Sequence, residues 1–163
     1  MKKTVKIGFF ILLGCILLGI GIVISIFSRQ LNYEKLLKAG YKNYEVDITY
    51  TADEEDGFSF WGNYIYETNE LSLEDDDGII YNLQGNIYDS LVTKMENKKY
   101  ENETTFSTNI DFQEICSKEQ DFELFLKDQG SMVCEYEIDD NKIYDISCEK
   151  DEKSITFSFD FKD

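Results

Sequence analysis

The chain has 163 residues, 33 acidic against 16 basic, a formal net charge of −17, and neither histidine nor proline. That length suits one ordinary domain, and an aromatic content of 15% excludes a disordered chain. Without histidine there is no Ser-His-Asp triad, Cys-His pair or HExxH metal site, and the acidic balance excludes a surface that tracks nucleic-acid phosphates.

Met1-Lys2-Lys3-Thr4-Val5-Lys6 forms a short basic leader (residues 1–6), and Ile7–Phe27 follows without a charged residue. As a helix that stretch would be about 31 Å long, matching a hydrocarbon core of about 30 Å. It is therefore expected to be a single transmembrane helix over 7–27. The lysines before it place the N-terminus in the cytoplasm and the rest of the chain outside, as a single-pass protein of a bacterial cell membrane. Two other readings compete. A cleaved signal peptide would have a shorter apolar stretch and a small residue at the cut, where Phe27 stands. A lipoprotein is the second alternative, because Leu12-Leu13-Gly14-Cys15 resembles a bacterial lipobox and would anchor the chain through Cys15. The apolar Ile16–Phe27 stretch after that cysteine favours the span.

Residues 28–40 read as a juxtamembrane helix, with lysines near its end and Gly40 at the C-terminal cap position. Residues 41–163 then form an acidic extracytoplasmic domain in which alternation dominates. Tyr44, Val46, Ile48 and Tyr50 share one parity, as do Phe58, Phe60, Gly62, Tyr64 and Tyr66, and Ile79, Tyr81, Leu83 and Ile87. Phe106 to Phe112, Met132 to Ile138 and Ile155 to Phe161 repeat the pattern. Period-2 runs of this kind predict antiparallel strands with one buried face and one wet face. Two short helices are expected: one over 88–96, from the spacing of Tyr88, Leu91, Val92 and Met95, and one opening at a Ser117-Lys118-Glu119-Gln120 capping box and closing at Gly130. The fold class is thus α+β, a small and mainly antiparallel sheet with one or two short helices behind an N-terminal transmembrane helix.

Among the cysteines, pairing Ile138 with Tyr144 sets Tyr136 opposite Ile146 and Cys134 opposite Cys148. The neighbouring register would pair opposite faces. Cys134 and Cys148 are therefore a candidate disulfide closing a loop of about 15 residues, with Cys116 left over. No cofactor is implied. Calcium is the one ion the carboxylate-rich loops suggest, and Asp75-Asp76-Asp77-Gly78 carries part of an EF-hand pattern. Aligned on Gly78, however, Leu73 and Gln84 stand where the first ligand and the bidentate Glu belong, so the segment reads as an acidic turn.

The run around Trp61 is apolar on both faces, with Trp61 and Ile65 opposite Phe58, Phe60 and Tyr64. Either a helix covers the second face, or Trp61 and Ile65 present an interaction surface. No catalytic motif is present. The function expected is that of a non-enzymatic, membrane-anchored accessory module of the cell envelope, binding a protein partner that is basic if electrostatically steered. The alternative is a sensor domain for a divalent cation or small ligand.

Overall fold

The computed structural model describes residues 17–24, 33–52, 56–95 and 105–162. The chain divides into two compact units, Met1–Glu34 and Lys35–Asp163. In the first, residues 17–24 are helical, with exposed Leu17, Leu18, Ile20, Ile22, Val23 and Ile24. The leader and most of the expected span lie outside the described residues. Among the described residues no helix is long and apolar enough to cross a membrane. The single transmembrane helix is corrected on that finding, and with it the single-pass topology and the sidedness that rested on the span.

The second unit is one eight-stranded antiparallel sheet in the order β4-β3-β2-β1-β8-β7-β6-β5. Its strands are β1 (Tyr44–Ala52), β2 (Asp56–Ile65), β3 (Glu70–Asp75), β4 (Ile80–Gln84), β5 (Thr105–Asp111), β6 (Ser131–Asp139), β7 (Lys142–Lys150) and β8 (Lys153–Phe161). Helices are short: α1 over 33–39, α2 (Ile87–Val92), α3 (Phe112–Lys118) and α4 (Glu123–Leu126). The α+β class is therefore corrected to a mostly-β architecture, because every strand joins one sheet and the helices are single-turn or two-turn packing elements.

Alternation decides which side chains meet the helices. Tyr44, Val46 and Ile48 of β1, Phe60 and Tyr64 of β2, and Ile155, Phe157 and Phe159 of β8 are buried on one face. Phe125 of α4 packs on Phe60, Phe112 of α3 on Phe157, and Tyr88 of α2 edge-on against Phe159. Tyr88 also ties three elements together. Its hydroxyl donates to the Leu36 carbonyl of α1 at 3.1 Å and accepts from the Ile143 N–H of β7 at 3.3 Å. Beside it the Tyr44 hydroxyl donates to Asn86 Oδ1 at 2.9 Å, and Asn86 Nδ2 donates to the Gly40 carbonyl at 2.8 Å. Each buried phenol is thereby satisfied, which avoids the penalty of about 1–3 kcal/mol for an unpaired buried polar group.

Two local expectations shift. The helix predicted from Ser117 to Gly130 is shorter, a 3-10 turn over Gln120–Phe122 and then α4, and Ser117 instead belongs to a separate helix, α3, which the Asp111 carboxylate caps by accepting from the Gln113 N–H. Ser117 sits in that helix's last turn and donates to the Glu114 carbonyl. In the β6–β7 hairpin the cysteine register is the one expected, but Ile138 faces Ile143 rather than Tyr144. The turn residues Asp140 and Asn141 both have positive φ, the signature of a two-residue hairpin turn. Such a turn pairs Asp139 with Lys142, one step out of register with Cys134 opposite Cys148, and a bulge at Glu137/Ile138 absorbs the difference. Tyr144 is the extra residue.

Candidate functional site: the open face of the sheet

The helices cover the Tyr44 face, so the opposite face of the four central strands stays open among the described residues. Directly paired residues share a face. Asp47 of β1 stands between Trp61 of β2 and Ser158 of β8, and Glu45 stands between Asn63 and Asp160. Ser158 in turn faces Asp145 of β7. These residues, with Tyr144 and Gly62, line a depression with a volume of about 590 Å³. The bulge accounts for the presence of Tyr144: Ile143 and Ile146 are buried, so the added residue leaves both Tyr144 and Asp145 at the depression.

Four carboxylates, Glu45, Asp47, Asp145 and Asp160, thus line the same depression as one indole, with Asp47 directly beside it. Lys162 Nζ meets Glu45 Oε1 at 2.6 Å, and that carboxylate holds the lysine above its usual pKa. Among the described residues no ion pair reaches the other three. Trp61 is 42% exposed and Ile65, on the same face, 46%. The helix-covered alternative for this strand therefore does not describe it. Gly62 matters to the shape. A Cβ there would strike the Ser72 backbone, so β3 lies against β2 with no room for a side chain.

The acidic turn is differently occupied. Asp75 Oδ1 accepts from the N–H groups of Ile79 and Asp77 at 2.9 and 3.0 Å, and Oδ2 accepts from the Tyr81 hydroxyl. The Ile79 N–H is the chief reason the Asp75 carboxyl is held below its ordinary pKa. Asp76 accepts from the N–H and hydroxyl of Ser59. These carboxylates close a turn around Gly78, whose φ is +77°. Among the described residues no group of three or more Cys, Asp or Glu is placed to hold a metal ion.

Cys134 and Cys148 face each other across β6 and β7, are joined by a disulfide, and are fully buried. Cys116 is a buried free thiol whose pKa is raised by burial. The structure brings neither the disulfide nor Cys116 to the Trp61 depression. Sequence reasoning found Trp61 and Ile65 but missed the carboxylates beside them. The alternation that puts Glu45 and Asp47 of β1 and Asp160 of β8 on the face away from the core was the available signal, and it required knowing that β1 lies between β2 and β8.

The chain matches no protein-family profile and no curated protein. Among solved structures it is similar to LprF from Mycobacterium bovis, with 11% identity over 80% of this chain and 90% of that one and a TM-score of 0.41. It is also similar to the Mycobacterium tuberculosis lipoprotein LppX, with 9% identity over 80% of this chain and 92% of that one and a TM-score of 0.38.

Proposed function

We propose that this chain is a non-enzymatic binding module of the bacterial cell envelope, lipid-anchored through Cys15, which docks a basic protein partner on the open face of its sheet. The observation that carries the docking reading is a concavity of the central strands lined by one exposed indole and four carboxylates. An indole face attracts Lys or Arg side chains, and flanking carboxylates supply their counter-charges. From Cys15 onward the chain carries 13 basic and 33 acidic residues, a net charge of −20, which would speed encounter with a cationic surface.

The anchor reading rests on three features. Basic residues precede an apolar stretch, within which Leu12-Leu13-Gly14-Cys15 forms the lipobox-like sequence. The buried Cys134–Cys148 disulfide suits an oxidising compartment. The exposed apolar side chains of residues 17–24 offer a further membrane contact beside the lipid on Cys15.

Two experiments test the reading. Metabolic labelling with an alkyne fatty acid should mark the full-length protein, and Cys15→Ser should abolish the mark; an unlabelled wild type refutes the anchor. Cross-linked capture from native membranes should recover a basic protein that is lost with Trp61→Ala and with Asp47→Asn/Asp145→Asn, and whose recovery falls as salt rises. Equal recovery by all three proteins refutes the docking face.

A further inference from the structure

A second surface differs in chemistry from the rest of this acidic chain. On α1, Leu36 and Ala39 are buried while Lys35 and Lys38 are exposed. Positions three apart lie on one side of a helix, so the two lysines share a face. The row continues beyond the helix end, because the Tyr41 N–H bonds back to the Lys38 carbonyl and folds Tyr41 onto the same corner. There the Tyr41 ring meets that of Tyr66, with centroids 5.7 Å apart. Tyr66 is fixed from behind by its own N–H, which donates to Asn43 Oδ1 at 2.9 Å.

Both rings are open to solvent, Tyr41 at 52% and Tyr66 at 48%. That sets them apart from Tyr44, Tyr64, Tyr88 and Tyr136, which are buried in the core. Charge is inverted as well. Over residues 33–42 the chain carries Lys35, Lys38 and Lys42 against Glu34 alone, in a protein with twice as many acids as bases. Glu67, beside Tyr66, is the acid that flanks the other end.

We propose that this Lys35–Lys38–Tyr41–Tyr66 strip rests on the phospholipid headgroup layer. This rests on the reading that the chain is anchored to a membrane through its N-terminal segment. A phenol offers an apolar ring and a polar tip, the combination that concentrates tyrosine at the membrane–water boundary. Lysines place their alkyl stems along such a boundary and their ammonium groups on lipid phosphates. Two of the strip's four residues, Lys35 and Lys38, lie on α1, the first element of the sheet domain in chain order after Cys15.

The test uses full-length, anchor-bearing protein in phosphatidylglycerol vesicles with brominated acyl chains. In a Trp61→Phe background, the only indole is the one supplied by Tyr66→Trp or, as a control, by Val133→Trp on the exposed side of β6. The expected result is about twofold or greater quenching of the first indole relative to the second. Lys35→Glu/Lys38→Glu should reduce that difference. Equal quenching of the two indoles in protein that floats with the vesicles overturns the strip and leaves the anchor standing. Protein that fails to float overturns both. Burial of Tyr41 and Tyr66 in lipid-free detergent on raising protein concentration would assign the strip to a second copy and overturn the proposal as well. Circular dichroism of each variant confirms that the sheet is intact.

Discussion

Reducing the Cys134–Cys148 bridge should weaken the domain by an amount that its position in the chain predicts. The two cysteines are 14 residues apart in sequence, so the closed loop lies wholly within the β6–β7 hairpin. In the loop-entropy model, a loop of that size is worth about 3 kcal/mol of stability through restriction of the unfolded chain. Both sulfurs are buried, so replacement by alanine adds a small packing loss to that figure. For a domain of this size each kcal/mol moves the melting temperature by about 3–5 °C, which gives a fall of about 9–15 °C. The assay is thermal unfolding of wild type against Cys134→Ala/Cys148→Ala, together with wild type that was unfolded, reduced and refolded in reductant, because reductant cannot reach the buried bridge in the folded state. Cys116 serves as the internal control: Cys116→Ala should show no sensitivity to reductant beyond that of wild type. A melting temperature that moves by less than about 2 °C in both the double variant and the reduced protein would refute the argument, and would show that the hairpin is held by its ladder alone.

Gly62→Ala should cost about 3 kcal/mol or more, since the added methyl meets the Ser72 backbone rather than a movable side chain; unchanged urea unfolding would refute the close β2–β3 approach. Millimolar calcium should leave the melting temperature within about 1 °C of its metal-free value, because the Asp75 and Asp76 oxygens are taken up by backbone and hydroxyl donors, whereas a larger upward shift would reveal a site. Burial raises the pKa of Tyr44 and Tyr136, and a raised folded-state pKa means the stability is complete below the unfolded value of about 10 and lost as pH climbs above it. The phenolate absorbance of the buried tyrosines should therefore appear only as ellipticity is lost in alkali; phenolate signal from all tyrosines while ellipticity holds would contradict their burial.

How far the sequence disclosed this architecture depends on which part of the sheet is considered. The runs Tyr44–Tyr50, Phe58–Tyr64 and Ile155–Phe161 carried enough aromatic and branched side chains at every second position to define a buried face, and those residues form the core of β1, β2 and β8. Strand β3 escaped notice because its signal is only Leu71 and Leu73, set among Glu70, Ser72, Glu74 and Asp75. Ile87 kept the parity of the preceding run, yet Asn86 caps α2 with its side chain and turns the chain into a helix. The capping box at Ser117 misled for a related reason. Asp111 lies upstream and caps first, so the later serine is already inside the helix.

The candidate site was legible only in half, and topology explains why. Period-2 patterning says that Trp61 and Phe60 point opposite ways, but it cannot say which face of a strand with two apolar sides is left uncovered. That choice is made by a connection. β4 and β5 are consecutive in sequence yet lie at opposite edges of the sheet, so the chain between them must cross one face or the other. It crosses on the Tyr44 side, burying Ile87, Tyr88, Leu91 and Val92 of α2, and the hydroxyl of Tyr136 on β6 secures the crossing by donating to the Leu91 carbonyl at 3.1 Å. Once that face is spent on the core, the reverse face of the same strands has no helix among the described residues to cover it. The polar residues that alternation sends there, Glu45, Asp47 and Asp160, are brought to the same depression as Trp61 by the β2-β1-β8 order. The acidic setting of the indole thus follows from pairing the β1–β2 hairpin with β8 at the far end of the chain, and no local reading of any one strand contains it.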